Sequence, residues 1–162
     1  MLEHCKDNVE RWGGVSRILD GWLQQRQELI VEFCTVSGVH ELGSNSQQDP
    51  AEGLQRFCEL MVDYISAGHF EVYDHLIQEA EDFGDCSALE LAKNVYPLIS
   101  QTTERVLGFN DSLDAMINHE PDSPSLAHEL SGIGETLVSR FELEDQMIER
   151  MHFAHKDLVA NA

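Results

Sequence analysis

Apolar residues recur along most of this chain at alternating steps of three and four, the spacing of one face of a helix. The plainest case is the C-terminal stretch, about 125–159. One register reads Leu126, Ile133, Arg140, Met147, Ala154, and the other reads Leu130, Leu137, Glu144, Met151, Leu158. Only Arg140 and Glu144 interrupt them. The first segment, roughly 3–36, carries the same pair of seams through Trp12, Leu19, Phe33 and through Val15, Trp22, Leu29, Val36, with Arg26 as the charged exception. A segment at about 51–83 begins apolar nearly all round (Leu54, Phe57, Cys58, Leu60, Met61, Val62, Ile65), which predicts a central helix. Gly68 inside it is a place for a kink or for close approach by a neighbour. A further segment, about 88–119, carries Ala92, Val95, Ile99, Val106, Phe109, Leu113 and Met116, and Pro97 should bend or break it near Tyr96.

Turn formers separate these segments. The stretch "GVHELGSNSQQDP" ends in Pro50, which suits a helix start. "FGDCS" offers Asp85 or Ser87 as an N-cap, and "NHEPDSPS" offers Ser123 or Ser125. No useful strand-like alternation occurs. The expected fold is all-α: one domain over 1–162, a bundle of about four long helices with a polar cluster in its interior. Apolar stripes closed on one another favour a monomer.

Charges in a core seam must find partners, because an isolated buried charge is prohibitively costly. In "DYISAGHFEVYDHL", Ser66, His69 and Tyr73 are spaced i, i+3, i+7, and Asp63 lies one turn before Ser66. The expected network has Arg26 and Arg140 facing Asp63 and Glu144, with His69 and Tyr73 as further members. Arginine suits the task because its planar fork binds carboxylates bidentately. Such a network can fix helix register, as a polar residue does in a coiled-coil seam. It can also be a ligand site, since carboxylates and histidines inside bundles bind paired irons. "RFELED" is similar to a helix of hemerythrin-like bundles, but Arg140 stands where a histidine ligand is wanted and has no lone pair to give. The Glu149-x-x-His152 match falls on outward positions, so no metal and no cofactor are expected. No nucleophile–base pair or Gly-rich phosphate loop is present, so no enzymatic activity is expected. The cysteines Cys5, Cys34, Cys58 and Cys86 are scattered without a C-x-x-C pair and read as reduced thiols.

Composition adds a second constraint. Ten basic and thirty acidic side chains give a net charge of −20 over 162 residues. No Lys or Arg lies between Arg56 and Lys93, where Glu59, Asp63, Glu71, Asp74, Glu79, Glu81, Asp82, Asp85 and Glu90 occur. Asp111, Asp114, Glu120, Asp122, Glu129 and Glu135 repeat the pattern between Arg105 and Arg140. Such a surface repels nucleic acid and anionic lipid and steers basic partners toward it, although acidity also serves solubility alone. No apolar run approaches the ~18 residues of a membrane span. The charged N-terminus lacks the apolar stretch of a signal peptide, so a cytoplasmic location is expected.

Three blocks carry a resemblance. "ERWGGVSRILDGWLQQRQELIVEFC", "LMVDYISAGHFEVYDHLI" and "LVSRFELEDQMI" resemble the Rsd/AlgQ family of bacterial anti-sigma factors, AlgQ-type members most closely, over roughly residues 1–157. The resemblance implies a helical protein that binds and sequesters the primary sigma factor of RNA polymerase in stationary phase, one-to-one. The implied target is the helix-turn-helix region 4 of sigma, with region 2 as a further contact, and no direct contact with nucleic acid or membrane. Asp63 stands at the position of an aspartate implicated in sigma binding in that family. Ser66, His69 and Tyr73, with Arg140 and Glu144, fall in the shared blocks. A DNA-reading domain presents Lys and Arg to phosphates, so an acidic helical face can compete for them, while apolar anchors hold the complex. Trp12 and Trp22, beside Arg26, are candidates for that anchoring, although a Trp on an apolar helix face usually belongs to the core. Rival readings are a bundle binding a metal or small ligand at its polar cluster, an unselective acidic DNA mimic, and an adaptor with further partners.

Overall fold

The computed structural model describes residues 2–42, 49–119 and 124–160. Ser123, Glu120 and Asp122 lie outside these residues, as do the side chains of Cys5, Asp114 and Met116. Among the described residues the chain is helical with no strand: α1 (Leu2–Leu42), α2 (Pro50–Ala67), a π-helical turn (Gly68–Val72), α3 (Tyr73–Asp82), α4 (Cys86–His119), α5 (Pro124–Met151), a 3₁₀ turn (Phe153–His155) and α6 (Lys156–Ala160). The turn joins α2 to α3 in one rod, so four long helical rods make the expected all-α bundle. α1 packs mainly on α2 and α5 mainly on α4.

The helix boundaries follow from local chemistry. Asp49 is extended and accepts the Ala51 N–H at 3.1 Å, and Pro50 occupies the first helical position, where a missing N–H costs nothing. Gly84, with φ 66, supplies the left-handed residue that ends α3, and Asp85 then caps α4 by accepting the Ala88 N–H at 3.0 Å. Ser125 lies inside α5 rather than capping it. Two sequence expectations change. Pro97 does not break α4, which runs on through it, because only one backbone bond is lost and the packed turns on either side hold the helix. α1 runs past Gly38, since a lone glycine in an otherwise helical stretch weakens a helix without stopping it.

Both α5 seams are buried as read, through Leu126, Leu130, Ile133, Leu137, Arg140, Glu144, Met147 and Met151. The pattern then breaks. His152 adopts φ −132 and ψ −59, α5 ends, and Ala154 and Leu158 face solvent instead of continuing the seams. On α1, Val15, Leu19, Trp22, Leu29 and Val36 are buried, with Trp12 and Phe33 half-buried. All of these except Trp12 join the side chains of α2 through α5 in one apolar cluster.

Gly68 is where close approach matters. A Cβ there would lie 3.0 Å from the Tyr73 hydroxyl and 3.2 Å from Cζ2 of Trp22. The space belongs to the two rings. Gly68→Ala should therefore destabilise the fold by about 1–2 kcal/mol through overpacking, although alanine is the better helix former. Gly21, exposed on α1 with nothing within 4 Å of a Cβ, should gain about 0.5–1 kcal/mol as alanine. Urea unfolding of the two variants checks both signs; equal shifts would contradict this packing.

Candidate functional site

Glu144 is fully buried on α5, and its two oxygens are taken by different helices. Tyr64 from α2 donates to Oε1 at 2.8 Å, and Tyr73 from α3 donates to Oε2 at 2.7 Å. Arg26 from α1 and Arg140 from α5 approach Oε1 at 3.8 and 3.7 Å, within ion-pair range. Arg26 Nε donates to the Tyr64 hydroxyl at 3.0 Å and its Nη1 to Asp145 at 2.5 Å. Its guanidinium also lies 4.7 Å from the centre of the Phe141 ring. Arg140, fully buried, reaches α4: Nη1 donates to Thr103 at 2.7 Å, to Thr102 at 3.0 Å and to the Ile99 carbonyl at 3.4 Å, while Nη2 donates to Tyr73 at 3.0 Å. Every long helix thus contributes to one network.

Burial pushes the Glu144 carboxyl above its ordinary range, against the pull of Arg140 and of the Tyr73 hydroxyl. Both tyrosines are raised, by burial first and then by the Glu144 charge, so they remain neutral donors.

The expected network is partly corrected. Arg26, Tyr73, Arg140 and Glu144 come together, but Asp63 is exposed on the outer face of α2 and takes no place in the interior. Successive helical residues point about 100° apart, and here it is Tyr64 that faces inward. Tyr64 and Tyr73 are nine residues apart, about two and a half turns of a regular α-helix, which would put them on opposite faces. The wider turn at Gly68–Val72, where the Tyr73 N–H donates to the Gly68 carbonyl, rotates them toward each other. Strict helical periodicity therefore passes over Tyr64.

His69 stands at the network's edge, half-buried, with Nε2 2.7 Å from Thr103 Oγ1 and Nδ1 3.5 Å from the Tyr96 hydroxyl. Burial, with the Arg140 charge behind it, holds its pKa below 6.5. Ser66 is half-buried. Trp22 is 3% exposed, stacks on Tyr64 and donates to the Tyr64 carbonyl at 3.1 Å, so it supports the face from beneath and cannot touch a partner.

What covers this core from outside is acidic. Glu59, Asp63, Glu71 and Asp74 are exposed along the α2–α3 rod, and Phe70 projects among them with 83% of its surface in solvent. It is the most exposed large hydrophobic side chain among the described residues. It stands inside the "SAGHFEVYD" block, but pattern reading singles out inward residues and not outward ones.

A second buried cluster also escaped the sequence. Glu79 bridges two histidines, with Oε1 2.7 Å from His152 Nδ1 and Oε2 3.1 Å from His155 Nδ1, and His155 Nε2 lies 2.9 Å from Asp85. The half-buried Trp12 stacks on His152, with 4.5 Å between ring centres, and donates to its carbonyl. His152 was expected to face outward; the end of α5 at Met151 turns it in, while Glu149 stays exposed. The paired His-x-x-His spacing was the only available signal. This cluster ties the C-terminal turn to α1 and α3. Among the described residues no group of three or more His, Cys, Asp or Glu is arranged to hold a metal ion. No described helix is long and apolar enough to cross a membrane.

Residues 1–152 match the family described as Regulator of RNA polymerase sigma(70) subunit, Rsd/AlgQ. The chain is similar to a protein named Regulator of sigma D from Yersinia enterocolitica, 34% identical over 149 residues, covering 92% of this chain and 89% of that one. The protein of the same name from Salmonella paratyphi B is also 34% identical over 149 residues, covering 91% and 90%.

Two outcomes follow from the geometry. Glu144→Ala leaves Arg140 buried without its carboxylate, and should cost about 3–5 kcal/mol in urea unfolding. His69 has a folded pKa below its unfolded 6.5, so the unfolded chain binds the extra proton. Its contribution is complete above pH 6.5 and is lost as pH falls toward the folded value. His69→Gln should remove that part of the slope of stability against pH; an unchanged slope would contradict the assignment.

Proposed function

The chain belongs to the Rsd/AlgQ family of regulators of the RNA polymerase sigma(70) subunit, and from that premise we propose that it sequesters the primary sigma factor through the acidic face of its α2–α3 rod. Sequestration is stoichiometric and needs no chemistry: a cytoplasmic, non-enzymatic protein occupies the sigma surface that reads promoter DNA. The relatives' name, Regulator of sigma D, supports the choice of partner.

The observation that carries the choice of face is Phe70, 83% exposed within a row of exposed carboxylates that includes Asp63. Region 4 of sigma must present Lys and Arg to phosphate, so a row of carboxylates steers it and competes with DNA for the same side chains. Charge sets approach and selectivity, while the ring supplies apolar area that resists salt. The extreme net charge of −20 favours a second reading, an unselective acidic mimic of DNA.

Calorimetric titration with region 4 of the primary sigma factor, beside an equally basic helix-turn-helix domain, separates the two at two salt concentrations. Selective sequestration gives one-to-one binding to sigma alone, persisting at the higher salt. Phe70→Ala and Asp63→Ala should each weaken it about tenfold while the protein stays folded. Equal binding to both domains, lost together as salt rises, would establish the unselective mimic instead.

A further inference from the structure

On another side of the bundle α1 and α5 flank an open groove of about 830 Å³, lined among the described residues by these two helices alone. Its floor is Leu29 and Leu137, both buried. Its flanks carry Ile30, 36% exposed, and Val138, 56% exposed, branched apolar side chains left facing water. At Gly134 the Phe33 ring rests directly on the backbone, so closely that a Cβ would stand 2.5 Å from Cζ. The groove's wall on α5 runs from Ala127 to Glu142, about 22 Å at 1.5 Å per residue, the length of four helical turns. A helix is the element whose ridge fits a groove between two helices.

The rim decides the partner's charge. Glu135 and Glu142 line the groove one heptad apart, both exposed and neither paired with a cation among the described residues. No described Lys or Arg lines it. A second copy of this chain brings another −20 and is repelled. We propose that the α1–α5 groove receives an amphipathic helix of a protein partner, about four turns long, with an apolar seam flanked by Lys or Arg at seven-residue spacing. Two basic side chains so spaced meet Glu135 and Glu142 together, as charges flanking a coiled-coil seam do. This face is separate from Asp63 and Phe70 and holds whether or not those residues bind sigma.

The test uses the full chain and two synthetic helical peptides with the same leucine seam, one carrying lysine at the two flanking positions and the other glutamate. Amide shifts are followed by NMR during titration. The lysine peptide should bind saturably, with shifts concentrated at residues 29–33 and 134–141. Val138→Glu, at an exposed position that folding does not need, should weaken it roughly tenfold, and the Glu135→Gln/Glu142→Gln pair roughly fivefold. The glutamate peptide should bind at least about tenfold more weakly. Equal binding of both peptides, shifts centred on Asp63 and Phe70, or no binding overturns the proposal. So does self-association of the free protein that Val138→Glu abolishes, which would make a second copy the occupant.

Discussion

One carboxylate holds this bundle to a single arrangement. Glu144 accepts hydrogen bonds from the Tyr64 and Tyr73 hydroxyls, with Arg26 and Arg140 alongside, and Arg140 carries the connection on to Thr102 and Thr103. Burying such charges gains little net stability, because desolvation offsets the attraction between them. Apolar side chains of similar volume would hold the helices together about as well. They would not specify rotation and register, since apolar surfaces slide and hydrogen bonds do not. The bundle's interior is therefore best understood as a device for fixing geometry, built where an ordinary core would also have been stable.

The geometry it fixes is that of the α2–α3 rod. Both tyrosines come from this rod, on either side of the turn Gly68–Val72, and both can reach Glu144 because that turn is wider than an α-helical one. The same turn throws Phe70 outward and sets His69 between the Arg140–Thr103 connection and solvent. Trp22 fills the space that Gly68 leaves, stacking on one tyrosine and meeting the other edge-on. Buried register and exposed face are thus set by the same few residues.

Much of this was legible in the sequence. Heptad counting located Arg26, Arg140 and Glu144 as charges in core seams, and it ordered the helices correctly, because both signals depend only on regular helical spacing. It failed wherever the spacing stops being regular. Asp63 was placed inside and Tyr64 overlooked because a π-helical turn resets the phase between residues 64 and 73. Ala154 and Leu158 were assigned to seams that end when His152 leaves the helical region. The Glu79–His152–His155 cluster joins side chains more than seventy residues apart, a pairing no local pattern encodes. Phe70 was legible only as a letter within a family block, since exposure is a property of the packed bundle.

If the polar core exists to shape the face above it, then removing the core's polarity while keeping its volume should cost binding before it costs folding. The direct measurement is a titration of the Arg26→Met/Arg140→Met/Glu144→Met variant against region 4 of the primary sigma factor, with helical content and thermal unfolding recorded on the same sample. The expected result is a folded, cooperatively unfolding protein whose affinity for sigma is about tenfold or more below that of the unaltered chain. A folded variant that binds sigma as tightly as before would show that the Glu144 network does not set the binding geometry.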